Sequence, residues 1–267
     1  MQTGTVRTRC QLCFNLWIKG GTVMKNTESA LHVKMLTLAR NPFGALVAIH
    51  PVLLWDDNGA TLVDVGYPGQ LAELTAAVEQ AGIAFNHIRR VIFTHQDWDH
   101  VGNIAAVQDV LGDALKIYTH TDERKYIEGA APYIKMTPER IQARLQSLPE
   151  EIRAKAAGLF ASIPTVQVHG TFGDGEPLSF HADVRVIHTP GHTPGHMCLY
   201  VKKHRLLIAG DQLRLQNGVL VGPASEHTAD LRTARQSLDK LQHYDIDYVI
   251  CYHGGLYGPQ AAQRIAV

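Results

Sequence analysis

The sequence predicts an α/β protein in which two β-sheets pack face to face and helices cover their outer faces. Short apolar segments bounded by turn residues recur from Leu31 onwards, as in "RRVIFT" and "RLLIAG". Segments with a helical spacing of apolar residues follow several of them. The chain therefore contains two β-rich halves that each carry helices, and two packed sheets with outer helices fit this pattern.

The first half alternates between predicted strands and helices. Strands are predicted over 31–39 and 45–55, and "DDNG" at 56–59 is a hairpin signal because Asn-Gly accepts the positive φ of a tight turn. Residues 60–66 form the returning strand. Leu71, Leu74, Val78 and Ala81 share one helical face, and Gly82 ends that helix. A strand over 89–94, a short helix over 102–112 and a strand over 114–119 follow.

Residues 121–163 differ in character, because they are rich in Ala, Glu, Arg, Lys and Leu. Pro138 and Pro149 interrupt this stretch, and proline is favoured in the first turn of a helix. The segments "TPER" and "LPEE" therefore predict helix starts within a helical insertion. An outer pair of helices and a lid over an active site both fit this composition.

The second half returns to strands and ends with one long helix and a last strand. The predicted strands are "TVQVHG" (165–170), "EPLSF" (176–180), "VRVIHT" (184–189), "MCLYVK" (197–202) and "RLLIAG" (205–210). An amphipathic helix is predicted over 227–244 and a final strand over 246–255. Residues 31–267 are predicted to be one domain, with 1–30 as an extension and Met24 as an alternative start.

Composition narrows the classes of partner. Lys plus Arg number 25 and Asp plus Glu number 25, so no broad basic surface for nucleic acid is expected. The apolar stretch over 10–18 is too short for a membrane span and too polar for a signal peptide. We therefore expect a cytoplasmic protein that acts on a small molecule, and a homodimer is compatible with this expectation.

The four cysteines do not indicate a disulfide framework. Cys10 and Cys13 form a lone C-x-x-C, and no second pair follows to complete a structural zinc site. We therefore interpret them as ordinary thiols. Cys198 and Cys251 lie in apolar runs and are predicted to be buried small side chains.

Four side chains that commonly bind metals fall within six residues. His95, Asp97, Asp99 and His100 follow the strand over 89–94. Residues spaced by two in an extended segment project to the same side, which applies to His95, Asp97 and Asp99. Carboxylates crowded beside an apolar strand are costly without cations. This run therefore predicts a metal site.

Three further fragments also follow predicted strands. They are "GHTPGH" with His192 and His196, Gly210-Asp211, and His253. Of the two histidines, one is expected to be a ligand and the other to support it. An aspartate at a strand end, such as Asp211, is suited to bridge two cations. Each fragment is weak alone, but all of them in order form a strong joint signal.

The order H-x-D-x-D-H, T-P-G-H-T-P-G-H, G-D and a late His resembles the metallo-β-lactamase superfamily over roughly residues 31–260. The resemblance implies an αβ/βα sandwich, with two central mixed sheets flanked by helices and two divalent metal ions at one edge. The implied ligands form two sets around a bridging aspartate: His95, Asp97 and His192; Asp99, His100 and His253; and Asp211 between them.

Asp97 departs from the usual motif, which has a second histidine at this position. An aspartate oxygen still binds zinc at about 2.0–2.2 Å. Its added charge and hardness favour iron or manganese over zinc, and an acidic residue here also resembles the flavodiiron branch, where a glutamate takes the place. Zinc is the first expectation, and iron and manganese are the alternatives. In another interpretation Asp97 binds no metal, which leaves one weak site.

The resemblance implies a binuclear metallohydrolase, closest in look to small bacterial lactonases. Two cations share a water and lower its pKa, and the resulting hydroxide opens a lactone or cleaves a carboxylic ester. Asp99 and Asp211 are the predicted catalytic residues, Asp99 also as a proton shuttle to the leaving group. Thioester or phosphoester hydrolysis, and an iron-dependent oxidoreductase of the sulfur dioxygenase kind, are the alternatives.

Substrate contacts are predicted from fewer signals. Lactonases of this kind often carry a tyrosine three residues after the bridging aspartate, and this chain has Arg214 there, which suits a carboxylate or phosphate. Tyr126, Tyr133, Ile134 and Met136 of the insertion are predicted to line an apolar acyl pocket. An ion-paired Arg214 and an insertion that only packs on the body are the competing interpretations.

Overall fold

The computed structural model describes residues 30–40, 47–161 and 164–265. Apart from Ala30, the predicted extension over 1–30 lies outside these residues, together with Met24 and the Cys10–Cys13 pair. The described part of the chain contains short strands and helices that alternate from His32 onwards.

The strands of the first half are β1 (His32–Met35), β2 (Leu38–Arg40), β3 (Val47–Ile49), β4 (Val52–Asp56), β5 (Gly59–Val63), β6 (Ile88–Ile92), β7 (Lys116–His120) and β8 (Gly170–Phe172). Those of the second half are β9 (Pro177–Leu178), β10 (His181–His188), β11 (Met197–Val201), β12 (Leu206–Ile208), β13 (Arg214–Gln216), β14 (Val219–Val221), β15 (Tyr248–Cys251) and β16 (Gly255–Tyr257).

The α-helices lie mainly between these strands or at the end of the chain. They are α1 (Leu71–Gln80), α2 (Trp98–Val101), α3 (Ile104–Leu111), α4 (Arg124–Ile127), α5 (Pro138–Ser147), α6 (Glu150–Ala161), α7 (Leu231–Leu241) and α8 (Ala262–Ile265). Among the described residues, no helix is both long and apolar enough to cross a membrane.

Two six-stranded sheets organise the molecule. The first has the order β1-β4-β5-β6-β7-β8, and its strands from β5 to β8 are parallel. The second has the order β16-β15-β12-β11-β10-β9, in which β12 and β15 are parallel and the other neighbours antiparallel. Both sheets are therefore mixed, and β2–β3 and β13–β14 are separate two-stranded sheets.

Three apolar clusters hold the layers together. Leu54 and Ile92 of the first sheet belong to one buried cluster with Val186 and Leu199 of the second, which places this cluster between the sheets. A second cluster joins the first sheet to α1 and α3, and a third joins the second sheet to α7 and α8. Both sheets are covered on one face by each other and on the other face by helices such as α1, α3 and α7, which gives the αβ/βα order, so the predicted fold is confirmed.

Two hairpins with an Asn-Gly turn show how much of the turn structure can be predicted from the sequence. In the predicted β4–β5 hairpin Asp56 pairs with Gly59, and Gly59 takes the positive φ of 108°. The β13–β14 hairpin was not predicted, although Asn217 and Gly218 carry the same Asn-Gly signal with φ of 51° and 77°.

One predicted strand is wrong. Residues 165–169 of "TVQVHG" form no regular strand, and only Gly170 belongs to β8. The reason lies in the hydrogen bonds, since Val166 N–H donates to the carbonyl oxygen of Ile127 at 3.0 Å and Val168 N–H donates to Glu128 Oε1 at 3.0 Å. This segment is therefore tied to the end of α4 by Val166 and Val168, and it meets β7 through His169, whose amide donates to the carbonyl oxygen of Ile117 at 2.7 Å.

Both proline-based helix starts in the segment 121–163 are confirmed. Helix α5 begins at Pro138, and Thr137 Oγ1 caps it by accepting from the amide of Arg140 at 3.4 Å. Helix α6 begins at Glu150, directly after Pro149. A proline has no amide hydrogen to lose in the first turn, which explains why these positions start helices.

Cys198 and Cys251 are free and buried, as predicted. Burial raises the pKa of the Cys198 thiol to about 12, so this thiol stays protonated and unreactive near neutral pH.

A pair of stacked histidines links the two sheets. His120 ends β7 and His188 ends β10, and their rings stack at 3.9 Å with an angle of 12° between the planes. Burial, as the larger cause, and the neighbouring His188 lower the pKa of His120 from 6.5 to about 4. Protonation of His120 is thus disfavoured in the folded protein.

The first prediction concerns stability in acid. Between about pH 6.5 and 4 the unfolded chain binds a proton at His120 that the folded protein does not bind, so the free energy of unfolding falls as the pH falls. His120→Gln removes this contribution and flattens the decline. Urea denaturation of both proteins in chelator at several pH values in this range measures it.

The exposed His87→Gln is the matched control and is expected to follow the unaltered protein. Equal slopes for His120→Gln and the unaltered chain would show that the stacked pair contributes nothing to acid sensitivity.

Candidate metal centre

The seven predicted ligand residues converge at one edge of the two sheets. They come from both sheets, each from a segment that follows a strand. His95 and Asp97 follow β6, Asp99 and His100 lie in α2, His192 lies between β10 and β11, Asp211 follows β12, and His253 follows β15.

Four of these side chains form the first group. His192 Nε2 lies 3.1 Å from Asp97 Oδ2 and 3.3 Å from Asp211 Oδ2. His95 Nε2 lies 3.4 Å from Asp97 Oδ2. The four side chains each present a ligand atom, and these atoms lie within 4.8 Å of one another, so one cation has room between them.

The second group lies on the other side of Asp211. His253 Nε2 is 3.2 Å from Asp99 Oδ2 and 3.4 Å from Asp211 Oδ1. His100 Nε2 is 3.3 Å from the same Asp211 Oδ1. Asp211 thus presents Oδ2 to the first group and Oδ1 to the second, which is the arrangement of a bridging carboxylate.

The hydrogen bonds behind His95 and His100 fix their protonation. Thr94 donates both its amide and its hydroxyl to the Asp64 carboxylate, at 2.9 and 2.8 Å. The hydroxyl hydrogen is then used, so Thr94 Oγ1 accepts from His95 Nδ1 at 3.0 Å. His100 Nδ1 donates to Asp64 Oδ2 at 2.8 Å.

These donations give the two Nε2 atoms the properties of metal ligands. Each neutral imidazole that donates through Nδ1 carries its lone pair on Nε2. Both Nε2 atoms are buried and make no hydrogen bond, as is also true of Asp211 Oδ1. Buried polar atoms without partners are rare, and a divalent cation at this place would satisfy them.

The same reasoning distinguishes the two histidines of the second motif. Thr228 Oγ1 donates to the carbonyl oxygen of Ala224 at 2.6 Å, so it accepts from His192 Nδ1 at 3.4 Å. His192 Nε2 therefore points its lone pair at the first group. His196 Nε2 instead accepts from the amide of Asp211 at 3.1 Å, so His196 orients the aspartate that is predicted to bridge the cations.

The electrostatic field of the site favours positive charge. Burial opposes the protonation of His253, but Asp211 and Asp99 outweigh it and raise the pKa of His253 to about 10. The pKa of His100 is raised well above its usual value, again against burial, by Asp64, Asp99 and Asp211. A divalent cation bound to the same carboxylates and imidazoles would displace these protons, so protons and metal would compete here.

Two details of the first motif differ from the expected extended segment. Asp99 lies in α2, so a helix presents it together with His100. Asp97 occupies the N-cap position of α2, yet its side chain makes no capping hydrogen bond. The Asp97 carboxylate faces the ligand cluster instead. In an ordinary N-cap, one of its oxygens would accept a hydrogen bond from a backbone amide of the first helical turn.

Sequence reasoning missed three polar residues around the cluster. Asp64, which has a φ of 61°, was read as part of a strand. Lys135 Nζ lies 2.6 Å from Asp97 Oδ2 and 2.7 Å from His192 Nε2. Glu123 is fully buried and accepts from Gln96 Nε2 and from the amide of Gly195. An aspartate directly after a buried strand signalled Asp64, but the sequence around Lys135 carried no such signal.

The predicted substrate contacts each make interactions with other parts of the protein. Arg214 Nε donates to the carbonyl oxygen of Gly222 at 3.2 Å, within the β13–β14 hairpin. Tyr133 donates its hydroxyl to Pro164 O at 2.9 Å, and it packs with Met136 against the cluster under the first sheet. The ring of Tyr126 lies 4.9 Å from the Lys125 ammonium. Their contact with substrate stays a prediction.

The fold and the site together define a class of αβ/βα proteins with a histidine and aspartate metal centre at the sheet edge. A family model for the metallo-β-lactamase superfamily matches residues 46–253, which is more than half of the chain. The chain therefore belongs to the metallo-β-lactamase superfamily.

Individual relatives are distant. The chain is 25% identical over 211 residues to the probable metallo-hydrolase YflN of Bacillus subtilis, covering 74% of this chain and 76% of that one. It is 27% identical over 212 residues to the probable metallo-hydrolase Rv2300c of Mycobacterium tuberculosis, covering 68% and 62%.

Two solved structures show the same fold. The metallo-β-lactamase family protein TTHA1429 of Thermus thermophilus has a TM-score of 0.63 and 22% identity, over 88% of this chain and 77% of that chain. TTHA1623, solved in a di-iron-bound form, has a TM-score of 0.59 and 24% identity, over 86% and 97%.

The second prediction concerns Asp64. Asp64→Asn removes the charge that holds His100 Nδ1–H and keeps the size of the side chain. We expect metal affinity to fall by about 10- to 100-fold, as for other residues that orient metal ligands. Isothermal titration of the chelator-treated protein with Zn²⁺ or Mn²⁺ measures it. Unaltered affinity in a folded variant would contradict the orienting role.

The third prediction concerns the loop of His192. Gly191 has a φ of 126°, and a Cβ there would lie 2.1 Å from the amide nitrogen of Ala234 in α7. Gly191→Ala is expected to displace the His192 loop, weaken metal binding and lower the free energy of unfolding by about 1–3 kcal/mol. Urea denaturation and metal titration measure both effects.

Gly158→Ala is the matched control, because nothing lies within 4 Å of a Cβ at this helical position. It is expected to raise the free energy of unfolding by about 0.5–1 kcal/mol and to leave metal affinity unaltered. Equal behaviour of the two variants would show that the close approach of Gly191 to α7 does not position His192.

Proposed function

We propose that this chain is a binuclear metal-dependent hydrolase that opens a lactone or cleaves a carboxylic ester. The observation that carries the proposal is the position of Asp211 between two groups of donors, Oδ2 towards one group and Oδ1 towards the other. The relatives that carry the description probable metallo-hydrolase support the reaction class.

The donor set fits two divalent ions. His95, Asp97 and His192 would hold one, Asp99, His100 and His253 the other, and Asp211 both. Bound there, the ions would lower the pKa of a shared water and stabilise the negative charge that develops on the substrate oxygen.

The protein supplies orientation and proton transfer. Asp64, Thr94 and Thr228 hold three imidazoles with the lone pair of Nε2 directed inwards. His196 accepts from the amide of Asp211 and so fixes the direction of its carboxylate. Asp99 is buried next to the more exposed His253 and is placed to take the proton of the attacking water and pass it to the leaving group.

The site opens to solvent beside His253. The His253 side chain is 29% exposed, whereas that of His192 is 1% exposed. A substrate carbonyl can therefore approach from the His253 side, close to Asp99. A small neutral ester or lactone suits this approach, because it need only present one carbonyl oxygen to the cluster.

Asp97 favours a second candidate, an iron-dependent oxidoreductase on the same site. Its oxygen donor adds charge and hardness to the first group, which favours iron or manganese over zinc. The neighbour TTHA1623 was solved in a di-iron-bound form. Oxygen consumption with a thiol or persulfide substrate by the iron-loaded protein would favour this candidate over ester hydrolysis.

The fourth prediction tests hydrolysis directly. Metal-loaded protein is given a long-chain acyl homoserine lactone in a pH-stat, and proton release is expected that a chelator abolishes. Asp211→Ala is expected to fall to the chelated rate, because one side chain contributes to both groups. Asp109→Ala, a change at an exposed position in α3, is the control and should keep full rate.

Activity of Asp211→Ala equal to that of the unaltered protein would contradict the bridging role. Absence of proton release with lactones and with simple carboxylic esters would overturn the ester assignment and bring thioester, phosphoester and redox substrates forward.

A further inference from the structure

A lysine of the helical segment reaches into the candidate metal centre. The side chain of Lys135 is 13% exposed, and its Nζ lies 2.6 Å from Asp97 Oδ2 and 2.7 Å from His192 Nε2. Both atoms belong to the first group of donors. An ammonium of this chain therefore binds the atoms that a metal ion of the first group would bind.

The hydrogen bonds of His192 make the two uses exclusive. Because Nδ1 donates to Thr228, His192 Nε2 carries a single lone pair. That lone pair accepts a hydrogen from Lys135 or binds a metal ion, and one lone pair cannot do both. His192 Nε2 and Asp97 Oδ2 are both acceptors and lie only 3.1 Å apart, so one cation is needed between them.

Hydrogen bonds of the neighbouring residues hold the backbone around Lys135 in place. The amide of the preceding Ile134 donates to Gln96 Oε1 at 2.8 Å, and Gln96 lies between two residues of the first group. Gln96 Nε2 in turn donates to the buried Glu123 at 2.9 Å. These bonds hold the backbone of the segment against the first motif, and the long lysine side chain can leave without breaking them.

The negative charge of Asp97 stabilises the Lys135 ammonium at this position. An aspartate, unlike the histidine usual in this motif, brings a negative charge into the first group. Burial would raise the pKa of Asp97, but Lys135 and the neighbouring imidazoles hold it well below its usual range. Asp97 and Lys135 thus form a charge-matched pair, one in the motif and one in the insertion.

We propose that Lys135 is a built-in competitor for the first metal position, so that the two cations bind with different affinities. The group of Asp99, His100 and His253 fills first, because no described ammonium contacts it and the protons on its imidazoles are released to solvent when a cation binds. The group of His95, Asp97 and His192 fills only when the Lys135 side chain withdraws. This inference rests on the proposed two-cation site and adds the order in which it fills.

The fifth prediction is a metal titration of chelator-treated protein by calorimetry, with metal content measured in parallel. The unaltered protein is expected to bind two Mn²⁺ or Zn²⁺ ions in two events of different affinity. Lys135→Met keeps the length of the side chain and removes the ammonium, so the weaker event is expected to become at least about tenfold tighter. Lys125→Met, an exposed change in the same segment, is the control and should bind like the unaltered protein.

A second readout needs no variant at Lys135. Lysine acetylation followed by mass spectrometry is expected to label Lys135 slowly in chelator and several-fold faster at saturating metal, because metal binding frees the ammonium. Lys125 provides the internal control, since its labelling should be the same in both states.

The outcomes separate the two proposals. The competitor role would be overturned if two ions bind, Lys135→Met leaves the weaker affinity unchanged or lowers it, and Lys135 is labelled equally in both states. That result would leave the binuclear site intact. Failure of both proteins to bind any metal would overturn the competitor role together with the proposed function.

Discussion

The close approach of electron-pair donors to one another is the constraint on which the rest of this structure depends. His192 Nε2 and Asp97 Oδ2 lie 3.1 Å apart, and His100 Nε2 and Asp211 Oδ1 lie 3.3 Å apart. Such contacts are repulsive unless positive charge lies between the atoms. The packing of two sheets forces these side chains together, because each of them follows a strand that ends at the same edge.

The surroundings of the cluster are arranged to maintain that approach. Asp64 has a positive φ, and its carboxylate accepts hydrogen bonds from Thr94. This carboxylate fixes the ring of His100 directly and that of His95 through Thr94. Strained backbone of this kind persists only where neighbouring structure determines it. Glycine at position 191 lets the His192 loop press against α7. These packing contacts and hydrogen bonds therefore direct the lone pairs of the histidine ligands towards the centre of the cluster.

The helical segment over 121–163 is connected to the site by polar contacts as well as by packing. Glu123, Gln96 and the amide of Ile134 form a continuous chain of hydrogen bonds from the end of β7 to the segment that bears Lys135. Of the two interpretations that the sequence left open, the helical pair is seen in α5 and α6, and the lid over the active site stays a prediction. Helices α5 and α6 form a helical pair, and Lys135, which precedes them, reaches the donors.

The sequence by itself determined the layered fold, the proline-started helices and the seven candidate donors, because these depend on local periodicity and on residue types that few other roles explain. It did not determine which atoms meet. The strand wrongly predicted at 165–169 and the roles of Asp64 and Lys135 depend on partners distant in the chain, whereas the β13–β14 hairpin was missed although its Asn-Gly signal is local. Only the tertiary structure brings Lys135 to Asp97, 38 positions away, since hydrogen-bond partners and charge compensation are decided by packing and leave no periodic trace in the sequence.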